Sequence, residues 1–344
     1  MKAAVLVAFN QPLKFETQAF PKPGTGEALL KVTASGICGT DLHIQDGKVA
    51  IITLPHILGH ETAGVVVETG ADVDQTLLGK LAIVAIDRVC HQCPNCLSGR
   101  TNLCHNLKRY GFELPGGFQE FMLVSADNLF LVEGIEPEQA AIIPDAVACM
   151  YRAIVTQGKV QTNDLVCILG MGGLGFQGVQ IAASLGATTV CTSRNEIKLD
   201  ISKKLGADYV FNTKEKVLDT ANLLQLTGSL CDVVIDVIGS LESISWGLKL
   251  LRPGGKVVSV GYDSFEFMAN YQELIIPEKE IIGSRGSTRQ DLLEAVNLVN
   301  SGSLIPFINH SFEFEAINTG LDFIRSGKSL GRVVLQYPQK GMNV

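Results

Sequence analysis

A short apolar run, Leu165–Leu169, ends in Gly170-Met171-Gly172-Gly173-Leu174-Gly175 and leads into a helix-like stretch over residues 177–185. A glycine pattern of this kind is often only turn chemistry. Between a strand and a helix it is much more restrictive. Gly170 then permits the tight turn, Gly172 lets a backbone approach a pyrophosphate, and Gly175 lets helix and strand pack closely. The positive end of the adjoining helix would face the phosphates. Beyond the loop the same alternation repeats. Strand-like residues 188–192, 209–211, 233–237 and 257–260 are interleaved with helical patterns over 196–205 and 241–251. After 281–283 comes one more amphipathic helix, 290–300, with Leu292, Val296 and Val299 on one face.

Strands separated by helices of this length predict a parallel sheet with crossover connections, and so an α/β, Rossmann-type doubly wound fold that binds a dinucleotide. The end of its second strand reads Thr192-Ser193-Arg194-Asn195, where an Asp or Glu would hold the adenosine ribose hydroxyls of NAD. A carboxylate repels a 2′-phosphate, whereas the Ser193 hydroxyl and the Arg194 guanidinium can hydrogen-bond one. The expected cofactor is therefore NADP(H) in preference to NAD(H). The competing assignment makes Arg194 a solvated surface residue and gives the ribose to Glu196. Gly170, Gly172, Gly173, Leu174 and Gly175 complete the expected cofactor contacts. Arg332 is read as reaching the pyrophosphate or, equally, as a surface arginine.

The first 150 or so residues differ in character. Short β-like runs, broken by Gly and Pro, suggest an antiparallel, barrel-like domain. One of its loops carries Cys90, Cys93, Cys96 and Cys104, four of the nine cysteines of the chain. Thiolates suit tetrahedral zinc, and a tight loop can turn all four inward as a structural zinc site. A disulfide pair or four free thiols are the alternatives. Further upstream, Cys38, His43, His60 and Glu61 offer ligand types for a second metal. A catalytic zinc needs three protein ligands and one open position.

Composition excludes several classes. Hydrophobic residues make up 46 %, which argues against disorder, and a net charge of −7 argues against a nucleic-acid partner or an anionic membrane surface. No apolar stretch approaches the length of a membrane span. The N-terminal run stops at Asn10-Gln11-Pro12 without a clear cleavage site and reads as a strand. Thiols kept for metal imply a reducing, cytoplasmic setting.

The segments Gly36-Ile-Cys38-Gly-Thr40-Asp41-Leu-His43 and Gly59-His60-Glu61, the four-cysteine lobe and the glycine loop occur in the order and spacing of one family. The chain resembles the zinc-containing medium-chain alcohol dehydrogenases over essentially its whole length. That resemblance implies a mostly-β, GroES-like catalytic domain over 1–152, a Rossmann domain over 153–286 and a return to the catalytic domain over 287–344. It implies Cys38 and His60 as catalytic zinc ligands and Glu61 as an alternate or transient one. Thr40 corresponds to the hydroxyl that hydrogen-bonds the substrate oxygen, His43 to the histidine that passes a proton towards solvent, and Asp41 to the carboxylate that orients the zinc-bound histidine. A dimer or tetramer is also implied.

The third ligand departs from the best-known members. Six residues before Tyr151, where many carry cysteine, this chain has Asp145, with Cys149 one helical turn on as the competitor. Some NADP-using relatives with aspartate here lack the cysteine lobe, so the chain is a hybrid. The expected reaction is reversible hydride transfer between NADP(H) and a small alcohol or carbonyl substrate, either a secondary alcohol and ketone or an aldehyde, in a cleft between the domains. A sugar or polyol dehydrogenase with the same zinc machinery is the alternative. A metal-free reductase would not need Cys38, His60 and Asp145, and the acidic balance and the intact catalytic constellation count against a zinc-ribbon module that contacts nucleic acid. His56, His91, His105 and His310 receive no role.

Overall fold

The computed structural model describes residues 1–262 and 266–338. The chain forms two compact units, one from Met1–Asp145 with the residues from Thr288 onward, the other Ala146–Ser287. The expected boundaries were 152/153 and 286/287.

The first unit is built on antiparallel strands. Its long central strand, Glu27–Ile37, is buried along almost its entire length. It pairs with Glu61–Thr69 on one side and with Arg332–Gln336 and Phe121–Ser125 on the other. Leu81–Val84 and Leu129–Leu131 extend the sheet beyond Glu61–Thr69, and Ile308–Glu313 lies parallel to Arg332–Gln336. A smaller sheet joins Lys14–Thr17, Lys2–Leu6 and His56–Ile57. Leu6, Leu30, Leu58, Phe118, Met122 and Phe314 are all fully buried in one core, and burying a side chain of this size contributes about 1.5–3 kcal/mol.

Register decides what this sheet presents at its end. Gly36 lies opposite Glu61, and Ile37 opposite Val333. Cys38, His60 and Glu61, and Arg332 therefore arrive at one place from three strand ends far apart in sequence. Gly36 makes room for this: a Cβ there would lie 1.8 Å from Glu61 Oε2.

The second unit is a six-stranded parallel sheet of Leu165–Leu169, Thr188–Ser193, Tyr209–Asn212, Cys231–Asp236, Leu251–Ser259 and Glu280–Gly283. Across the sheet the strands run third, second, first, fourth, fifth, sixth. This is the Rossmann arrangement, whose crevice opens where the order reverses, between the first and fourth strands. Gly170 turns there at φ +97, and a Cβ on Gly175 would meet the Gly170 carbonyl oxygen at 2.3 Å. The close strand-to-helix packing expected of Gly175 is thus present. Helix Gly175–Ser184 begins directly after the loop.

Asp145 sits at the centre of a π-turn, Ile143–Val147; such turns recur at functional sites. Helix Ile317–Arg325 has no counterpart among the elements read from the sequence.

Candidate metal centre and cofactor loop

Cys38, His60, Glu61 and Asp145 converge so that one ligand atom from each lies within 4.8 Å of all the others. Cys38 precedes helix Gly39–Gln45, whose first turn contains Asp41. One Asp41 oxygen accepts the Cys38 backbone N–H at 2.8 Å. The other faces His60 Nδ1 at 3.3 Å. Both side chains are buried, and among the described residues neither of these facing atoms has a hydrogen-bond partner elsewhere. A proton on Nδ1 shared with Asp41 leaves Nε2 bare, which is the tautomer a metal ligand needs.

Nε2 in turn lies 3.8 Å from Asp145 Oδ2, and Cys38 Sγ lies 3.7 Å from the same oxygen. Ligand atoms at tetrahedral angles, about 2.0–2.3 Å from one zinc, stand roughly 3.3–3.8 Å apart. The residues therefore fit a zinc ion. Their charges fit as well. Burial alone would raise the Cys38 thiol, but the Arg332 guanidinium and His60 hold it below its ordinary value. Burial would likewise raise Asp145, yet the neighbouring His60 and the charge of Arg332 keep it well below the carboxylate range. One thiolate and one carboxylate balance a divalent cation. Cys149 does not belong to this cluster of described ligand atoms.

Arg332, expected at a pyrophosphate or on the surface, is placed otherwise. It is buried, and its guanidinium donates to Glu61 and, at 2.5 Å, to Asp145. The reason is the register that seats Arg332 at the first residue of a strand beside Glu27–Ile37. No local sequence signal announces this. Thr40 Oγ1 stands 3.6 Å from Cys38 Sγ, at the cluster. His43 lies partly buried on the same helix, three residues further on. Phe112 also borders the cluster. Its ring packs 5.4 Å from that of His60, with the Arg109 guanidinium 4.2 Å over Phe112 and held by Glu113.

The cysteine lobe forms a second cluster of the same kind. Cys90, Cys93, Cys96 and Cys104 bring their sulfurs within 4.8 Å of one another. Cys104 Sγ is 3.5 Å from Cys90 Sγ and 4.0 Å from Cys93 Sγ, which suits thiolates sharing a zinc and is far beyond a disulfide bond. Backbone N–H groups of Cys90 and Asn106 both point at Cys104 Sγ at 3.3 Å. Backbone N–H groups of His105 and Cys96 draw the Cys93 thiol down to about 6. Of the unassigned histidines, His91 pairs with Asp127 at 2.7 Å and His310 stacks among Phe312 and Phe323.

In the second unit Gly172 lies at the turn after the first strand, and among the described residues nothing stands within 4 Å of where a Cβ on it would lie. At the end of the second strand, Ser193 Oγ accepts the Asn195 N–H at 3.2 Å, while Arg194 is exposed.

Residues 24–134 match the family described as alcohol dehydrogenase GroES-like domain, and residues 173–301 match zinc-binding dehydrogenase. An alcohol dehydrogenase of Geobacillus stearothermophilus is 33 % identical, covering 98 % of this chain and 99 % of its own length. An L-threonine 3-dehydrogenase of Thermococcus kodakarensis is 32 % identical, covering 93 % of each chain. The solved acetophenone reductase of Geotrichum candidum, in complex with NAD, is 32 % identical with a TM-score of 0.87, covering 97 % of this chain and 96 % of that one. The chain belongs to the zinc-containing medium-chain dehydrogenase family. It is an oxidoreductase of the zinc type that uses a nicotinamide cofactor. Among the described residues no helix is long and apolar enough to cross a membrane.

Proposed function

We propose that the protein catalyses reversible hydride transfer between NADP(H) and a secondary alcohol and its ketone, or an aldehyde, at a zinc held by Cys38, His60 and Asp145. The observation that carries this reading is the spacing of the three ligand atoms, which suits one tetrahedral ion. The metal, when held there, adds Lewis acidity towards a substrate oxygen, and the nicotinamide adds the hydride. The protein does the rest. Asp41 fixes the His60 tautomer and, through the Cys38 N–H, the start of the helix. Thr40, beside Cys38, exchanges the hydroxyl proton with the substrate, and His43 on the same helix carries it towards water. Glu61, bonded to Arg332, stands ready as an alternate ligand.

The strand end Ser193-Arg194 favours NADP(H), because it offers a hydroxyl and an exposed guanidinium where NAD binding calls for a carboxylate. The NAD complex of the acetophenone reductase speaks for the other cofactor in that relative. The two are separated by titrating this protein with both. The substrate class is tested by a panel of secondary alcohols, ketones, aldehydes and polyols, read as NADPH consumed or formed by zinc-loaded protein. Turnover of ketones or aldehydes above polyols is expected. Turnover confined to polyols would contradict the substrate assignment, and no turnover of any of them would contradict the activity.

A further inference from the structure

We propose that Asn212 is a cofactor-specificity residue: by holding the Glu196 carboxylate, it keeps Arg194 free for the ribose 2′-phosphate. This rests on the proposed NADP(H) preference.

Ser193 and Asn212 are register partners on adjacent parallel strands, and the Thr213 N–H donates to the Ser193 carbonyl at 2.9 Å. Asn212 is therefore fixed beside the strand end that meets the adenosine ribose. Its amide is pinned at both ends. Oδ1 accepts the Lys214 N–H at 2.8 Å, and Nδ2 donates to Glu196 Oε1. Asn195, the other polar residue of the turn, is occupied as a helix cap, accepting the N–H groups of Ile197 at 2.9 Å and Lys198 at 3.4 Å.

Glu196 is the one carboxylate in the turn 192–196, and it is two residues from Arg194. Left loose, it would pair with that guanidinium, whose fork matches a carboxylate as well as it matches a phosphate. The pairing would consume the phosphate's donor and add a repelling charge beside it. Drawn to Asn212, Glu196 does neither. Arg194 is exposed and has no hydrogen bond or ion pair among the described residues. The chain thus carries an acid next to its phosphate subsite and a device that turns it away.

The test is direct binding of 2′,5′-ADP and 5′-AMP, which differ only in the 2′-phosphate, by calorimetry on the full-length protein. Wild type is expected to prefer 2′,5′-ADP. Asn212→Ala is expected to weaken 2′,5′-ADP about fivefold, the effect of one fully solvated unit charge about 4 Å away, and to leave 5′-AMP unchanged. Glu196→Gln in the Asn212→Ala background is expected to restore 2′,5′-ADP binding, which a merely misfolded loop would not do. Unchanged binding in Asn212→Ala, or a loss that Glu196→Gln does not rescue, overturns the proposal. Equal binding of the two nucleotides by wild type overturns the NADP(H) preference itself, and this inference with it.

Discussion

Asp41 Oδ1 faces His60 Nδ1 at 3.3 Å, while the second oxygen of the same carboxylate accepts the Cys38 N–H at 2.8 Å. A single buried acid thus ties together two candidate ligands that lie on different strand ends. Asp41→Asn would present an amide N–H to Nδ1 and so move the imidazole proton to Nε2. Affinity for the metal at this cluster is expected to fall by roughly 10–100-fold, as is typical when the partner of a ligating histidine is lost. Competition with a chelator, followed metal by metal, measures it. The cysteine lobe should be unaffected.

Asp145 and Cys149 make opposite predictions. Asp145→Ala is expected to remove one of the two metals that the two clusters can hold, and Asp145→Cys to retain it, since a thiolate also binds zinc. Cys149→Ser should keep both metals. Elemental analysis of the three purified variants decides between the residues.

Cofactor choice depends on the strand end. Ser193→Asp places a carboxylate where the 2′-phosphate is expected and removes a hydroxyl. A hydrogen bond to a charged group contributes roughly 1.5–3 kcal/mol, so the NADPH-over-NADH binding ratio should fall by about ten- to a hundredfold. An unchanged ratio would contradict the reading of Thr192-Ser193-Arg194-Asn195.

Gly175→Ala tests the glycine loop by packing alone. The new Cβ would lie 2.3 Å from the Gly170 carbonyl oxygen and 3.0 Å from Met171 Cε. The backbone oxygen cannot swing aside as a side chain can, so the strand and helix must part. Overpacking of this kind costs about 1–3 kcal/mol. Thermal unfolding is expected at lower temperature, and dinucleotide binding should weaken, while metal content stays the same.

Much of the fold was legible because its signals are local. A glycine loop between a strand and a helix specifies a parallel sheet, and four closely spaced cysteines specify a lobe, without reference to distant residues. Cys38, His60 and Asp145 were legible as ligand types from the resemblance, and the structure brings their atoms together. Arg332 was not legible. Its place beside Glu61 and Asp145 depends on a strand register, Ile37 opposite Val333, set across nearly three hundred residues. The packing of Phe112 against His60 was not legible for the same reason, since it leaves no mark on its neighbours in sequence. The Asn212 and Glu196 pair needs two adjacent strands to be seen. Helix Ile317–Arg325 was overlooked because Gly320, a poor helix former, falls on the face that it buries with Ile317 and Leu321.

The central claim is that Cys38, His60 and Asp145 hold the zinc at which carbonyls are reduced. Zinc stoichiometry and NADPH-dependent turnover, measured together on wild type and Cys38→Ser, test it most directly. Wild type should hold two zinc ions per chain, one for each cluster. Cys38→Ser should keep only the lobe zinc, still bind NADPH, and lose roughly a thousandfold in turnover, since Lewis-acid stabilisation amounts to several kcal/mol. A variant that has lost that zinc and still reduces carbonyls at the wild-type rate would contradict the account.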